Sequence, residues 1–374
     1  MQKVVGTGAT EGAPVIAVIG GGQLARMMQE AAIALGIELR CLVEAPDGSA
    51  AQAIPASTVG QADDAEAVSR LSGGEVTTVE HEHVPAEILD SVGARPSAAA
   101  LRFAQNKIVM RSELDAPMPS WRVARTRAEI DAAIDELGGV AVAKAATGGY
   151  DGKGVAVVHP GEDIPFWQPG QEILLEEKID FDMELAALIA RRPGGQIEAW
   201  PVVRTVQRDG ICFEVTAPAP ISEELDDRAR EIARSIAEQT GVVGVLAVEM
   251  FLAGDRLLIN ELAMRPHNSG HWTIDGAATS QFEQHLRAVA DYPLGPTDPI
   301  FPASVMVNLL GSSLADPREA LGRVWEADPG VKVHMYGKEV RPGRKIGHVT
   351  VCGDDVEELR ARAHRAIEIL EGKK

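Results

Sequence analysis

The stretch Thr147-Gly148-Gly149-Tyr150-Asp151-Gly152-Lys153-Gly154 places four glycines in eight residues, between apolar runs at 140–143 and 155–158. Without Cβ atoms in the way, its backbone N–H groups can turn toward one anion, while Lys144 and Lys153 supply positive charge. That chemistry suits a polyphosphate. The spacing is not that of a P-loop, which needs Gly-Lys-Ser/Thr opening a helix, and the residues after Gly154 are β-branched and strand-like. A strand–loop–strand flap over phosphates is the functional reading; a glycine-rich hairpin with solvated lysines is the bland one.

A second constellation lies downstream. Runs 242–252 and 256–264 read as strands joined by Ala253-Gly254-Asp255, a hairpin turn signal. A turn centred near Asp255 sets Glu249 across from Glu261 on one face of the sheet. Facing carboxylates in apolar strands repel and are costly to bury unless a cation lies between them, and Mg²⁺, hard and oxygen-seeking, is the natural guest. Arg265-Pro266-His267-Asn268-Ser269-Gly270-His271-Trp272-Thr273 follows at once, rich in donors, and points to an anionic second substrate. Residues 337–348 then gather four cations, Lys338, Arg341, Arg344 and Lys345, and a histidine in an otherwise acidic chain.

Weaker candidates sit at strand ends. The run 15–19 followed by Gly20-Gly21-Gly22-Gln23 and a helical pattern through Leu24, Met27, Met28 and Ala31 to Gly36 is a strand–turn–helix unit. As a dinucleotide fingerprint it is weak, because Ala25 stands where the last glycine belongs, and a plain nucleotide-like α/β unit is preferred. A strand at 76–79 runs into Glu80-His81-Glu82-His83, where a parallel sheet would present ligand contacts. The His-Glu-His run lacks a helical i, i+4 pair and a third soft ligand, so hydrogen bonding by Glu80 is preferred to metal binding. Glu176-Glu177-Lys178-Ile179 ends an apolar strand whose exit could face a nucleotide base, with Glu184 reaching ribose hydroxyls; alone it also reads as a solvated charge run.

The elements that must position these groups are legible. Residues 97–125 read as a helix containing Lys107 and Arg111, stopped by Pro117 and Pro119, and then a linker. Thr126-Arg127-Ala128-Glu129 is a capping-box pattern opening a helix with Ile130, Ala133, Ile134 and Leu137 on one face. Ser222 opens a helix to 239, another resumes at 282–290, short strands are expected at 304–309 and 331–336, and a helix closes the chain at 354–371.

With 374 residues, 45% hydrophobic and 24% charged, the chain is long enough for two or three packed domains. A net charge of −19 argues against nucleic acid or an anionic membrane as the main partner, so any phosphate site is a local basic pocket. Three scattered cysteines, Cys41, Cys212 and Cys352, imply reduced thiols and a cytoplasmic protein. No apolar run approaches a membrane span, and 1–13 read as a frayed extension or tag.

In combination these stretches resemble the ATP-grasp superfamily, and within it the N5-carboxyaminoimidazole ribonucleotide synthetase family of purine biosynthesis. The resemblance is carried by GGGQLARMM at 20–28, KAATGGYDGKG at 144–154, INELAMRPHNSGHWT at 259–273 and YGKEVRPGRKIGH at 336–348, in order from about residue 14 to the end. It implies an α/β (α+β) fold: an N-terminal Rossmann-like pre-ATP-grasp domain at 14–105, a central ATP-grasp domain at 106–300 with a lid at about 120–178, and a small β-rich domain at 301–374. It implies a ligase that uses ATP, Mg²⁺ and bicarbonate to carboxylate 5-aminoimidazole ribonucleotide through carboxyphosphate, and a homodimer.

The resemblance also distributes the roles. Lys107, Lys144, Gly148, Gly149, Tyr150, Asp151, Gly152, Lys153, Gly154, Glu176, Glu177, Lys178, Ile179 and Glu184 would contact ATP. Glu249 and Glu261 would hold Mg²⁺, with Asn260 alongside at the ATP site. Gln23, Leu24, Glu80, Asn268, Lys338, Arg344 and Lys345 would hold the ribonucleotide, the last three pairing its 5′-phosphate. Arg265 and His267, with Lys345, would handle bicarbonate and carboxyphosphate. Lys107 and Lys153 stand where the family frequently has Arg, and Ala263 where the wider superfamily often has Asn. A formate-using sister ligase, a non-catalytic nucleotide-binding module and an NAD-dependent oxidoreductase are the rivals at this point.

Overall fold

The structure, a computed structural model, describes residues 14–73, 75–149 and 153–373. The extension expected at 1–13 and three loop residues expected at the phosphates, Tyr150, Asp151 and Gly152, lie outside the described residues.

The N-terminal part is a parallel sheet of four strands, β1 (Val15–Ile19), β2 (Glu38–Val43), β3 (Ala56–Val59) and β4 (Val76–Val79), in the order β3-β2-β1-β4. The apolar run of β1 is buried throughout, as expected of a central strand covered on both faces. Helix α1 (Gln23–Leu35) stops at Gly36, whose φ of 66° is left-handed and free of Cβ cost. The shorter α2 (Ala65–Ser72) and α3 (Ala86–Ser91) flank β4 in sequence. The turn after β1 and the residues after β4 leave the sheet at the same, carboxyl, edge, which makes that edge a crevice.

The helix expected over Lys107 and Arg111 is split into α4 (Ala98–Gln105) and α5 (Lys107–Glu113) by Asn106, which is extended and whose side chain caps α5 by accepting from Ile108 and Val109 N–H. It ends at Glu113, ahead of both prolines. Leu114 turns extended and buries its side chain, so core packing stops the helix before Pro117 can.

A small antiparallel sheet follows: β5 (Trp121–Ala124), β6 (Ala141–Ala145), β7 (Val155–Val158) and β8 (Ile173–Glu177), ordered β5-β8-β6-β7. Helix α6 (Arg127–Glu136) packs on it, and the Thr126–Glu129 capping box forms as its spacing predicts. Ile130, Ala133 and Ile134 meet Ala143 and Leu175 in a separate core.

The third sheet has nine strands. Strands β9 (Met183–Arg191), β10 (Ile197–Ala199), β11 (Val203–Arg208), β12 (Ile211–Ala217), β13 (Gly244–Ala253), β14 (Arg256–Ala263), β15 (Ala303–Leu310), β16 (Lys332–Met335) and β17 (Lys345–Gly353) run in the order β14-β13-β9-β11-β12-β15-β17-β16, with β10 pairing β9. The strands beyond residue 301 continue the central sheet, because β15 pairs β12 from Glu214↔Val307 to Ala217↔Ser304. Helices α7 (Glu223–Thr240), α8 (Thr273–Gly276), α9 (Gln281–Val289), α10 (Leu321–Ala327) and α11 (Val356–Leu370) complete the chain. Phe282, Leu286 and Val289 of α9 pack with Met27 and Met28 of α1 and with Tyr336, so α9 ties the N-terminal unit to the large sheet.

Candidate active site

The hairpin β13–β14 delivers the expected pair, by a route the turn position alone does not provide. The turn holds Ala253 opposite Arg256, a register that carried straight through would set Glu249 against Asn260. Instead the pairing shifts after Met250↔Ile259, Asn260 bulges, and Glu249 meets Glu261. On the neighbouring strand β9, Ala186 pairs Glu249 and Glu184 pairs Phe251, which places Glu184 on the same face as Glu249, two residues along.

Burial and the crowding of carboxylates act in the same direction here. Burial, then the Glu261 and Glu184 charges, push Glu249 up to about 8. Burial, then Glu261, push Glu184 up to about 7. Lys107 Nζ reaches Glu261 Oε2 at 3.1 Å and offsets only part of the charge. No cluster of three or more His, Cys, Asp or Glu side chains with metal-ligating spacing occurs among the described residues. The two facing carboxylates suit a hard dication that completes its shell from phosphate oxygens and water.

Behind this pair lies a buried ion network. Glu176 Oε1 accepts from Arg111 Nε at 2.6 Å, and its Oε2 meets Lys144 Nζ at 2.7 Å. Lys144 also donates to Asn260 Oδ1 at 2.8 Å, and an Arg111 Nη donates to the Asn260 carbonyl at 2.8 Å. The bulged residue is thus clamped from both sides. Burial would raise the Glu176 carboxyl, but Lys144 and Arg111 together hold it below its ordinary value. Burial lowers the Lys144 ammonium, against the pull of Glu176. Glu176, expected at the nucleotide, has one oxygen on Arg111 and the other on Lys144. Arg111 is marked in the sequence only by its i,i+4 spacing from Lys107 on one helix, the signal that finds it.

Around the phosphate loop, Gly148 and Gly154 have φ of 77° and 73°, and a Cβ on Gly149 would lie 2.7 Å from the Lys153 carbonyl oxygen. The loop leaves β6 beside α5: Lys107 N–H donates to the Ala146 carbonyl at 2.9 Å, and Asn106 bridges Thr147. At the strand exit, Glu177 faces Arg256 at 3.5 Å and the exposed Lys178 pairs with Asp180 at 2.9 Å, so both are held locally. Ile179 is half-buried just beyond β8.

The donor-rich segment after β14 is fixed from several directions. Arg265 Nε pairs with Glu82 Oε2 at 2.9 Å, while Glu82 Oε1 is buried with no partner among the described residues. Glu82 has no role in the sequence beyond the rejected His-Glu-His metal reading; its alternation with Glu80 places both beyond β4. His267 Nε2 lies 3.2 Å from Glu249 Oε1. Its Nδ1 accepts from Ser269 N–H, so the ring proton sits on Nε2 and points at the carboxylate. Burial, then Arg265 and Lys345, hold this imidazole well below its ordinary value, hence neutral. Asn268 and Asn308 exchange amide hydrogen bonds of 3.1 and 2.7 Å, and Asn308 donates also to the Cys212 carbonyl at 2.9 Å.

The crevice at the parallel sheet faces this segment. Gly22, at the start of α1, has no side chain to cap the helix, and Glu80 caps it instead by accepting from Gly22 N–H and, at 3.1 Å, from Leu24 N–H. Lys338 donates to Gln23 Oε1 across the whole length of the chain. Ser49 Oγ donates to the Tyr336 carbonyl at 2.6 Å and Gln52 Nε2 to the Gly337 carbonyl at 2.7 Å, which pins the basic segment to the crevice. Arg344 donates to the Glu339 carbonyl at 3.3 Å, and Lys345 opens β17.

Comparison with known proteins yields concordant likenesses. Residues 14–105 match a ribonucleotide synthetase preATP-grasp domain, 109–282 an ATP-grasp domain, and 304–362 a phosphoribosylaminoimidazole carboxylase C-terminal domain. The N5-carboxyaminoimidazole ribonucleotide synthase of Mycobacterium tuberculosis is 48% identical over 373 residues, covering 95% of this chain and 87% of that protein. Two crystal structures of the Aspergillus clavatus enzyme superpose with TM-scores of 0.87. One, complexed with ATP, is 33% identical and covers 97% and 99% of the two chains. The other, complexed with ADP and 5-aminoimidazole ribonucleotide, is 32% identical and covers 97% and 100%.

Proposed function

Because the chain belongs to the N5-carboxyaminoimidazole ribonucleotide synthase family, we propose that it joins bicarbonate to the amino group of 5-aminoimidazole ribonucleotide at the expense of ATP, with Glu249 and Glu261 holding Mg²⁺. Bicarbonate oxygen attacks the γ-phosphorus to give carboxyphosphate and ADP. The amine then attacks the carboxyl carbon, phosphate leaves, and the amine proton goes to base or solvent.

The observation that carries this reading is that the facing carboxylates Glu249 and Glu261, the clamped Lys144 and the Arg265–His267 pair share one region of β13 and β14. A divalent metal there supplies charge neutralisation on the transferring phosphoryl group. The rest is positioning by this chain, which is most of what phosphoryl transfer needs from a protein. Lys144, fixed by Glu176 and Asn260, has little freedom to leave the phosphates. The Arg265 guanidinium is held at Nε by Glu82 and at one terminal nitrogen by the Pro266 carbonyl at 3.3 Å, and the donors left on its fixed plane suit a planar carbonate. His267, with Nε2–H held near Glu249, links the metal carboxylate to the bicarbonate position. Gln23, Asn268, Lys338, Arg344 and Lys345 are assigned to the anionic ribonucleotide, a reading supported by the Lys338–Gln23 contact that brings the basic segment to the crevice.

No helix among the described residues is long and apolar enough to cross a membrane, and Cys41, Cys212 and Cys352 form no disulfide. We place the enzyme in the cytoplasm, as a homodimer. The deciding experiment is phosphate release from Mg-ATP and bicarbonate with and without aminoimidazole ribonucleotide, beside a formate and glycinamide ribonucleotide control. Stimulation by aminoimidazole ribonucleotide with bicarbonate, lost in Glu261→Gln, supports the assignment. Stimulation only in the control transfers the chain to the formate-using sister reaction.

A further inference from the structure

Helix α9 is unusual in the polarity of its buried face. Gln281, Gln284 and His285 are all fully buried, and each spends its polar atoms on chain segments outside the helix. Gln284 holds Gly295 by two hydrogen bonds, and His285 joins Val245 N–H on β13 to Thr78 Oγ1 on β4. Gln281, at the first turn, does something more specific. Its Oε1 accepts from His267 N–H at 2.8 Å, while its Nε2 donates to the His267 carbonyl at 2.8 Å and to His271 Nδ1 at 2.9 Å. Both backbone polar groups of His267 are therefore held by one amide, a pattern an apolar residue of the same size cannot reproduce.

The surroundings are shaped for that amide. A Cβ on Gly270 would lie 2.4 Å from Gln281 Oε1, so the glycine makes room for it. Gln281 N–H donates to Thr273 Oγ1 at 2.9 Å, and Thr273 Oγ1 donates to the Gly270 carbonyl at 2.6 Å, which locks the helix start to the 267–273 turn. Because His271 Nδ1 accepts from Gln281, its proton sits on Nε2, an atom buried without a partner among the described residues.

We propose that Gln281 is a positioning residue for carboxyl transfer: by gripping the backbone of His267 on both sides and fixing the tautomer of His271, it sets the direction in which His267 Nε2 faces Glu249 and the bicarbonate position. The inference rests on the reading of His267 given above. Gln281 touches no reactant; its effect passes through the His267 ring, where a misplacement of about 1 Å is enough to cost on the order of a hundredfold in rate.

The test is steady-state kinetics of the full chain carrying Gln281→Met, which keeps length but no hydrogen bonds, and Gln281→Glu, which keeps the acceptor for His267 N–H but loses both donations. Michaelis constants for bicarbonate and ATP and the ratio of carboxylated product to phosphate released are measured, with His267→Ala alongside. Gln281→Met is expected to raise the bicarbonate KM about tenfold or more and to lower product per phosphate, with the ATP KM changed by less than about twofold. Gln281→Glu should show the same split, and it decides the matter if Gln281→Met does not fold. A parallel fall in kcat and folded fraction, with bicarbonate KM and coupling as in wild type, marks a merely structural residue and overturns the proposal. If His267→Ala leaves the bicarbonate KM unchanged, the reading of His267 fails and this inference falls with it. If His267→Ala raises it and both Gln281 variants match wild type, only this inference falls.

Discussion

Glu249 and Glu261 oppose each other across β13 and β14 because Asn260 bulges out of the ladder between them and the turn. Burial, and after it the Glu261 charge opposite, push Glu249 up to about 8, so the pair is held at a cost. Replacing Glu249 by Gln relieves it, so in metal-free buffer the variant should be more stable than wild type by on the order of 1 kcal/mol, as at other sites where function is held against stability. The same variant should lose about a hundredfold or more of Mg-ATP-dependent phosphate release. Urea unfolding with and without Mg-ADP reads both effects. Undiminished stabilisation by Mg-ADP in the variant would remove Glu249 from the metal site.

Glu176 divides its two oxygens between Arg111 and Lys144 and is about 2% exposed, so its loss leaves two cations buried without a counter-charge. Glu176→Gln should destabilise the protein by about 3–5 kcal/mol and weaken ATP binding through Lys144. The pH dependence has a definite sign. The folded carboxyl lies below its unfolded value, so its contribution is complete above the ordinary carboxylate range and is lost as pH falls through the folded value. Denaturant midpoints taken from pH 7 down to pH 3 should therefore fall more steeply for wild type than for Glu176→Gln; parallel curves would refute the linkage.

The difference between these two sites shows what the sequence makes legible. The hairpin, the capping box at Thr126 and the crevice at Glu80 follow from local spacing, because period and turn chemistry act over a few residues, whereas the carboxylate pair needs the Asn260 bulge as well. The partners of those groups do not follow from spacing. Arg111 with Glu176, Glu82 with Arg265, Asn308 with Asn268 and Gln281 with His267 join segments whose meeting is decided by packing. Nothing local in the sequence names the segment each of these residues will meet. The split of the helix at Asn106 and its end before Pro117 have the same origin: a local cap and the burial of Leu114 act before the prolines can.

Arg265 is tied at Nε to Glu82, which leaves its terminal nitrogens directed by a fixed guanidinium plane. Lysine preserves the charge but neither the tie nor the fork. Arg265→Lys should lower kcat/KM for bicarbonate by about a hundredfold while the ATP KM moves little. Near-wild-type turnover with bicarbonate would defeat the assignment.

Asn308 lies deep between β12 and β17 and contacts Asn268 through both of its amide atoms. Asn308→Asp keeps the acceptor for Asn268 but removes the donations to Asn268 and to the Cys212 carbonyl, leaving the Asn268 amide oxygen against a carboxylate oxygen that pushes it out of place. The expected result is a rise of about tenfold in the KM for aminoimidazole ribonucleotide, with bicarbonate and ATP constants little changed. A rise confined to the ATP constant would place Asn268 in the nucleotide site instead.

Two neighbouring glycines of the phosphate loop separate conformational from steric need. Gly148 has a left-handed φ of 77° and open space around it, so Gly148→Ala costs only the backbone preference, about 1–2 kcal/mol, with side-chain room to spare. A Cβ on Gly149 meets the Lys153 carbonyl at 2.7 Å, and a backbone atom cannot step aside as a side-chain tip can. Gly149→Ala must therefore pull the two arms of the loop apart and move Lys153 with them. Initial-rate measurements should show the ATP KM raised about tenfold or more by Gly149→Ala and by about a third as much by Gly148→Ala, with the KM for aminoimidazole ribonucleotide unchanged in both. The reverse ranking would mean that the loop's conformation, and not the close approach of Gly149 to Lys153, shapes the site for the phosphates.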